Sequence, residues 1–351
     1  MSAGERSYIF RQLVRQETDG SGENMGRYDF LYLSEMDVRS CLGMKETVEE
    51  VEKAIKILAK GQAIQPPKIY MAIPKHHGFI KPMTAYVEPM EVACSKIFAF
   101  FPDNPLRHDI PTVHATIVLN DAKTGVPLAL MDGTWITALR TAATSAVAAK
   151  YLAKNESPVV GIIGAGVQGK THLEAYANVR KIEEVRVFDT IPNVRDRYVK
   201  EMEAKGFSVK PAASYKEAVL GSDIVTTCTV GDEVMIRREW FEPGMFIAKV
   251  GSYQEVDTEV VTCADKVVVD WWEYVSTRVK ELNMLMEKGL FSHSNVYAEL
   301  HEIVGGLKPG RQRSDEKILF ISLGMGVEDA AAAMYAYERA QRLGLGTKIR
   351  R

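Results

Sequence analysis

Residues 159–169 have the sequence VVGIIGAGVQG, and this stretch decides the fold of the central part of the chain. The residues Val159–Ile163 are apolar or small, as in a strand that is buried on both faces. Glycines follow at short intervals, and the pattern of residues 171–179 then predicts a helix. A second apolar strand, Glu184–Phe188, comes next. The series of strand, glycine turn, helix and strand predicts a βαβ unit with parallel strands.

The glycine turn predicts a dinucleotide site. Gly164 permits the tight turn, Gly166 lets the backbone approach a pyrophosphate, and Gly169 allows the helix to pack closely on the strand. Asp189 ends the second strand, where a carboxylate holds the ribose diol and repels a 2′-phosphate. This favours NAD(H) over NADP(H), and the alternative is a structural turn beside a surface aspartate. We expect the rest of the turn to contact the cofactor as well: Ala165, Val167 and Gln168.

The segments around this unit predict two domains. Strands and helices alternate from residue 159 to about residue 270, which predicts a Rossmann-type, doubly wound parallel sheet. Residues 68–130 instead carry short β-like runs separated by Pro, Asn and Gly, which predicts a separate sheet domain. A helix over residues 135–154 joins the two, and a final helix over residues 327–343 returns to the first. The predicted fold class is α/β: the Rossmann-type domain plus an α+β domain.

The predicted boundaries follow from these patterns. Residues 1–28 are polar and form an N-terminal extension, residues 29–133 with 311–351 form the first domain, and residues 134–310 form the dinucleotide-binding domain, with 134–154 as the connecting helix. Ser34 with Asp37 and Thr47 with Glu50 each predict a capping box at the start of a helix. Strands are predicted in the first domain at residues 68–71, 95–101, 112–119 and 128–131.

Composition and charge exclude several classes of function. The 351 residues are 46% hydrophobic and 26% charged, with a formal net charge of −2. No basic stripe indicates a nucleic acid or a membrane surface as partner, and no apolar run approaches the ~18 residues of a membrane helix. The 4 cysteines are far apart and lack ligand spacing. We therefore expect no metal site, and a cytoplasmic protein that acts on a small molecule.

Arg140 is an unexpected residue in the connecting helix. Its neighbours are Ala, Leu, Thr and Val, so the guanidinium must be paired or must face a cleft. A substrate carboxylate would satisfy it through two parallel hydrogen bonds. The alternative is a salt bridge between the domains.

Several segments together resemble the ornithine cyclodeaminase and mu-crystallin family. They are PTVHATIVLN at residues 111–120, ALRTAATS at 138–145, the glycine turn, and SLGMGVED at 322–329, and the resemblance covers about residues 31–337. It implies a homodimer in which the N-terminal sheet domain, completed by the C-terminal helix, handles substrate and dimerisation while the central domain binds NAD. Members include cyclodeaminases, alanine dehydrogenases and ketimine reductases, and their common step is hydride transfer at an amino-acid α-carbon.

The resemblance implies roles for individual residues. Arg140 matches the arginine that binds the substrate carboxylate, Lys96 matches the active-site lysine, and Thr112 matches a threonine that lines the same cleft. Lys96 also lies in an apolar strand, where desolvation and a neighbouring cation would lower its pKa and suit it to proton transfer; the alternative is a lysine in solvent at a strand edge. We expect three further residues to contact the cofactor: Thr141, Thr229 and Gly251.

Three positions depart from the cyclodeaminase pattern. Tyr253 stands where cyclodeaminases carry an aspartate credited with activating water or guiding the released amine, and a phenol is a poor base at neutral pH. Lys68 stands where the family usually has a second carboxylate-binding arginine. Lys81 falls near the acid that receives the distal amine of ornithine, unless it points to solvent. All three are predicted to bind substrate.

These observations favour an NAD(H)-dependent oxidoreductase that acts at the α-carbon of a small amino or imino acid, as an amino-acid dehydrogenase or imine reductase. Arg140 and Lys68 would hold the substrate, and Lys96 would assist protonation. Two alternatives stay open. One is ornithine cyclodeaminase, which converts ornithine to proline and ammonia with bound NAD+, and the other is a non-catalytic NAD(H)-binding protein of the mu-crystallin kind.

Overall fold

The computed structural model describes residues 28–154 and 158–350, so the predicted extension lies outside the described residues except for Tyr28. The described residues form two sheets, each covered by helices. The strands of the first unit are β1 (Asp29–Leu33), β2 (Ala63–Ile64), β3 (Met71–Ile73), β4 (Gly78–Val87), β5 (Val92–Phe100), β6 (Val113–Asp121) and β7 (Pro127–Asp132). Its helices are α1 (Glu35–Cys41), α2 (Met44–Ala59) and α3 (Asn104–Arg107), and α4 (Thr134–Leu152) leads out of it.

The centre of the first sheet is an antiparallel meander of β4, β5, β6 and β7. Strand β1 pairs parallel with β7, and both β2 and β3 pair antiparallel with β4. Side chains alternate along β5, so that Cys94 and Lys96 are buried while Ile97 is exposed. The predicted strands near residues 95, 112 and 128 are confirmed; β4 was not predicted, and the run predicted at 68–71 forms a strand only from Met71.

The helices of the first unit test the two predicted capping boxes. Ser34 caps α1 and exchanges hydrogen bonds with Asp37, as predicted. The prediction for Thr47 is wrong, because α2 begins at Met44 with Gly43 as its N-cap residue. Thr47 lies inside the helix, where its buried hydroxyl donates to the carbonyl of Gly43 at 2.6 Å. Its hydroxyl is satisfied by the preceding turn, so the spacing to Glu50 carries no capping role.

The second unit is a fully parallel sheet. Its first strands and helices alternate as β8 (Val159–Ile163), α5 (Val167–Ala177), β9 (Glu184–Phe188), α6 (Pro192–Glu203), β10 (Val209–Pro211), α7 (Tyr215–Val219) and β11 (Ile224–Thr227). They continue as β12 (Phe246–Val250), α8 (Thr258–Cys263), β13 (Lys266–Val269), α9 (Trp272–Arg278), α10 (Lys280–Glu287), β14 (Ala298–Glu299), α11 (Leu300–Val304) and β15 (Ile318–Ser322). The strand order β10-β9-β8-β11-β12-β15-β13-β14 confirms a doubly wound sheet, with its switch point between β8 and β11.

Strand β15 corrects a predicted boundary. The prediction that residues 311–351 all belong to the first unit is wrong for Ile318–Ser322, because β15 lies between β12 and β13 in the second sheet. All of its residues are buried, since helices cover both faces of that sheet. The chain then returns through α12 (Gly326–Leu343), which packs on β4 and β5, and β16 (Thr347–Arg350) pairs with β1.

Helix α4 connects the two units. It is buried on nearly every side and packs against α2, α5 and α12. One apolar core therefore runs from Val48 and Cys94 through Ala142 to Val160. Of the helices described, none combines the length and the apolar character needed to cross a membrane.

Candidate active site and cofactor site

The glycine turn between β8 and α5 has the geometry that each glycine predicts. Gly164 has a φ of +101°, and a Cβ there would lie 2.7 Å from the carbonyl oxygen of Cys228. A Cβ on Gly169 would overlap the carbonyl oxygen of Gly164, so helix and strand pack too closely for a side chain. At Gly166, by contrast, a Cβ would meet nothing within 4 Å. The open space lies at the N-terminus of α5, where backbone N–H groups bind phosphate.

Two polar side chains beside the turn fit a dinucleotide. The Asp189 carboxylate lies at the carboxyl end of β9 and accepts hydrogen bonds from the backbone N–H groups of Ala165 (2.8 Å) and Ile191 (2.9 Å). Its position is therefore fixed next to the turn. Within residues 28–154 and 158–350, Oε1 of Gln168 is buried without a hydrogen-bond partner. Val167 is exposed in the first turn of α5. These residues could hold the adenosine and pyrophosphate parts of NAD.

The other three predicted cofactor contacts lie farther along the sheet edge or on α4. Thr229 follows β11, and its methyl carbon would lie 3.1 Å from a Cβ on Gly164. Gly251 follows β12 with a φ of +129°. Thr141 is half-buried on α4, where its hydroxyl donates to the Thr137 carbonyl at 2.8 Å. Thr229 and Gly251 thus lie on the side of the glycine turn away from Asp189.

A buried ion cluster joins the first unit to the connecting helix α4. Lys96 on β5 donates from Nζ to Oδ1 of Asp329 at 2.6 Å, and Nε of Arg140 on α4 donates to the same oxygen at 2.9 Å. Nη1 of Arg140 lies 3.5 Å from Oε2 of Glu328. The side chains of Lys96, Glu328 and Asp329 are fully buried, and that of Arg140 is nearly so. Arg140 is therefore paired within the protein, which is one of the two outcomes that its apolar neighbours predicted, and a solvent-exposed Lys96 is excluded.

Burial and neighbouring charges set the protonation of this cluster. Burial lowers the pKa of Lys96 to about 7, and the Arg140 guanidinium also lowers it, against the opposing effect of Asp329. Burial alone would raise the pKa of Asp329, but Arg140 and Lys96 hold it below its usual value. Burial raises the pKa of Glu328 to about 7. Lys96 can therefore gain or lose a proton near neutral pH, as its apolar strand predicted.

Lys68, in the segment between β2 and β3, lies beside the cluster and contacts the loop that links β15 to α12. Its Nζ donates to the carbonyls of Leu323 (3.3 Å) and Gly324, and lies 4.0 Å from the centre of the Tyr274 ring. Burial lowers the pKa of Lys68 to about 8. Asp270 holds this loop, since its carboxylate accepts from the N–H groups of Leu323 (2.7 Å) and Gly324 (2.6 Å).

Lys81 is the buried lysine of the site that has no polar partner among the described residues. It is 9% exposed, so the alternative that it points to solvent is wrong. Its Nζ lies 5.0 Å from the Phe98 ring and 5.3 Å from the Tyr274 ring, and the described residues provide it with no hydrogen bond or ion pair. Burial and the charges of Lys68 and Lys96 lower the pKa of Lys81 well below its usual value.

Two predicted substrate residues lie outside the ion cluster. Thr112 precedes β6, and its carbonyl accepts from the N–H of Phe101 at 2.8 Å. Tyr253 is half-buried in the turn after β12, and burial together with Tyr70 and Asp232 raises its pKa. No hydrogen bond joins the side chain of either residue to Lys96 or Arg140 in the part of the chain described.

Sequence reasoning missed three carboxylates that organise the site: Asp270, Glu328 and Asp329. The signal for the last two was present, because four alanines, Ala330–Ala333, follow them directly in the helix, and the argument applied to Arg140 holds for charges in such a setting. Asp270 directly follows a buried strand, β13. Together the residues form a cationic site with a lysine that titrates near neutrality. Such a site can bind a carboxylate and transfer a proton.

Comparison with known proteins shows one family. The family model described as ornithine cyclodeaminase/mu-crystallin family matches residues 29–343. The alanine dehydrogenase of Archaeoglobus fulgidus is 36% identical over 326 residues, which are 91% of this chain and 98% of that protein.

Solved structures agree over the same length. The Δ1-pyrroline-2-carboxylate reductase of Thermococcus litoralis, in complex with NADH and L-proline, has a TM-score of 0.88 and 40% identity and covers 91% of this chain and 100% of its own. An archaeal alanine dehydrogenase dimer with bound NAD has a TM-score of 0.85 and 36% identity, covering 92% of this chain and 99% of its own. The similarity therefore includes both units.

Proposed function

The chain belongs to the ornithine cyclodeaminase/mu-crystallin family, and we propose that within it the protein is an NAD(H)-dependent oxidoreductase acting at the α-carbon of a small amino or imino acid. The contact of Lys96 and Arg140 through Asp329 carries the proposal, because it places a titrating amine beside a carboxylate-binding guanidinium. The solved relatives support it, since one holds NADH with L-proline and the other holds NAD. The resemblance seen in the sequence and the predicted cofactor agree with these relatives.

Each residue of the site has a separate task in imine reduction. Bound NADH supplies the hydride for the α-carbon. Arg140 and Lys68 hold the substrate carboxylate, because Arg140 retains N–H donors beyond the one used by Asp329. Lys96, as the ammonium form, donates a proton to the imine nitrogen and becomes a neutral amine; the reverse transfer serves oxidation. Oδ2 of Asp329 has no hydrogen-bond partner among the described residues and could accept from the substrate N–H.

The surroundings of Lys81 argue against ornithine as the substrate. Lys81 offers no carboxylate to receive a distal ammonium, and the positive charges of Lys68, Lys96 and Arg140, which add to the effect of burial in lowering its own pKa, would oppose that ammonium in the same partly desolvated site. Tyr253 also lacks the acidity of a water-activating carboxylate. We therefore propose neutral or acidic substrates: imino acids related to alanine, aspartate or glutamate, or cyclic ketimine carboxylates.

Assembly and location complete the proposal. We propose a homodimer, which the dimeric archaeal relative supports, with the first unit responsible for substrate binding and dimerisation. The face of the first sheet opposite α12 carries Ile97, which is 45% exposed, beside half-buried Val118 and Leu130. The cysteines of the described residues are free thiols, which suits the cytoplasm.

A panel of substrates at 340 nm tests the function. We expect the protein to oxidise NADH with Δ1-pyrroline-2-carboxylate, pyruvate plus ammonia, or oxaloacetate plus ammonia, and to form no proline from ornithine. Lys96→Gln should lower kcat/KM about 100-fold or more, because it removes the proton donor. The exposed Lys75→Gln should match the wild type. Proline and ammonia formed from ornithine without net change in NADH would instead identify a cyclodeaminase.

A further inference from the structure

A second buried polar cluster lies under the carboxyl ends of β11 and β12. Its members are Lys249, Glu255 and Glu281, whose exposed fractions are 0%, 1% and 0%. Within the described residues, none of the three contacts the ion cluster around Asp329. Burying an ionisable group costs several kcal/mol per ion unless hydrogen bonds or an ion pair compensate for the lost water. A well-packed apolar cluster of the same size would give the protein as much stability. The hydrogen bonds and the ion pair of these residues therefore indicate which parts of the chain the cluster fixes in position.

Glu255 holds the segment that follows β11. Its Oε1 accepts from both the hydroxyl (3.0 Å) and the backbone N–H (3.2 Å) of Thr229. Its Oε2 accepts from the hydroxyl of Thr227 at 3.0 Å. The Thr229 hydroxyl in turn accepts from the N–H of Gly231 at 3.2 Å. One carboxylate thus fixes the direction of the chain where it leaves the sheet.

Lys249 and Glu281 hold the turn that follows β12. Nζ of Lys249 donates to the carbonyl of Gly251 at 2.7 Å and lies 3.4 Å from Oε2 of Glu281. Oε1 of Glu281 accepts from the backbone N–H groups of Glu255 (2.8 Å) and Val256 (3.1 Å). A Cβ on Gly251 would lie 3.9 Å from Oε2 of Glu255, so the two loops meet at this carboxylate.

The position of the cluster relates it to one half of the cofactor. Asp189 after β9 marks the adenosine end, and the glycine turn after β8 marks the pyrophosphate. A dinucleotide crosses the switch point between β8 and β11, so its nicotinamide half lies over the ends of β11 and β12. Thr229 and Gly251 are at those ends, directly above Glu255.

We propose that Glu255 is a positioning residue for the nicotinamide half of the cofactor: its carboxylate holds the loop at Thr229 and abuts the turn at Gly251, which together receive that half. The inference rests on the proposed function for the presence of the cofactor, and it adds a residue that acts through others. Since the hydrogen bonds that hold Asp189 do not involve Glu255, substitution of Glu255 should leave binding of the adenosine half unaffected.

Binding of two ligands tests the proposal without turnover. Glu255→Gln replaces one acceptor oxygen by an NH2 group and so disturbs the bonds to Thr229 and Thr227, and we expect the Kd for NADH to rise roughly tenfold while the Kd for ADP-ribose, which lacks nicotinamide, stays within about twofold. The control Glu259→Gln changes an exposed glutamate whose pair with Arg238 is worth little. It should bind both ligands as the wild type does, measured by calorimetry.

A second variant covers the case in which Glu255→Gln does not fold. Thr227→Val is nearly isosteric and removes one bond to Glu255 without altering a loop that meets the cofactor. We expect a smaller rise in the Kd for NADH, about threefold, with ADP-ribose unchanged. Unchanged NADH affinity in folded variants overturns the proposal, and so does an equal loss for both ligands. A wild-type protein that binds NADH but turns over no imino acid would contradict the proposed function and leave this inference intact.

Discussion

The protonation of Lys96 depends on single residues around it. The lysine is buried, and it lies between one cation that disfavours its charge, Arg140, and one anion that favours it, Asp329. Burial has the larger effect, which places the pKa of Lys96 at about 7. Because the ammonium form donates the proton in imine reduction, kcat/KM should fall as the pH rises through this value.

Asp329→Asn should move that fall to lower pH. The substitution removes the anion 2.6 Å from the Lys96 ammonium, so the pKa of Lys96 drops further and the inflection shifts down by roughly one pH unit or more. The KM should rise as well, since Arg140 loses the carboxylate that orients it. The measurement is the pH profile of NADH oxidation with a cyclic ketimine.

A carboxylate remote from the site provides the control for this profile. Glu35→Gln removes the partner of Arg39, 2.7 Å away, on the exposed side of α1. Its profile should superimpose on that of the wild type. If the inflection of Asp329→Asn also stays at the wild-type pH, a group other than Lys96 supplies the proton.

At the scale of elements, two glycines of the β8–α5 turn are needed for different reasons, one for cofactor binding and one for packing. A Cβ on Gly166 meets nothing within 4 Å, whereas a Cβ on Gly169 would overlap the backbone of Gly164. We expect Gly166→Ala to fold with nearly the wild-type Tm but to bind NADH at least about tenfold more weakly, because the methyl group occupies the space of the pyrophosphate. Thermal unfolding without cofactor and NADH titration measure the two effects.

Gly169→Ala is the matched variant in the same turn. Its methyl group meets backbone rather than open space, so we expect a loss of stability of about 1–3 kcal/mol before any ligand is added. Gly169→Ala should therefore lower the stability of the protein, whereas Gly166→Ala should lower its affinity for NADH. If Gly166→Ala binds NADH with the wild-type affinity, the pyrophosphate does not bind at this turn.

At the scale of the whole molecule, the open face of the first sheet predicts how two copies meet. Side chains alternate on β5, so Ile97 points away from the core that holds Lys96. Ile97→Glu should place a charge in the proposed interface and convert the dimer to a monomer of 39.1 kDa. Light scattering after size-exclusion chromatography measures the mass.

An exposed apolar residue of the second unit serves as control for assembly. Leu290 is 60% exposed after α10, and Leu290→Glu should remain a dimer. A dimeric Ile97→Glu would place the contact on another surface, and a monomeric wild-type protein would contradict the dimer altogether.

Local sequence was sufficient to predict the parts of this protein that depend on neighbouring residues. The βαβ unit, the tight turn at Gly164, the close packing at Gly169 and the lowered pKa of Lys96 follow from strand periodicity, glycine conformations and an apolar strand. Contacts between distant segments could be identified only in the folded structure, because Asp329 lies 189 residues from Arg140 and 233 from Lys96 in the sequence. The insertion of β15 between β12 and β13 is of the same kind. Such contacts depend on which strand edges and helix faces remain to be covered, and that is settled only when the whole chain packs.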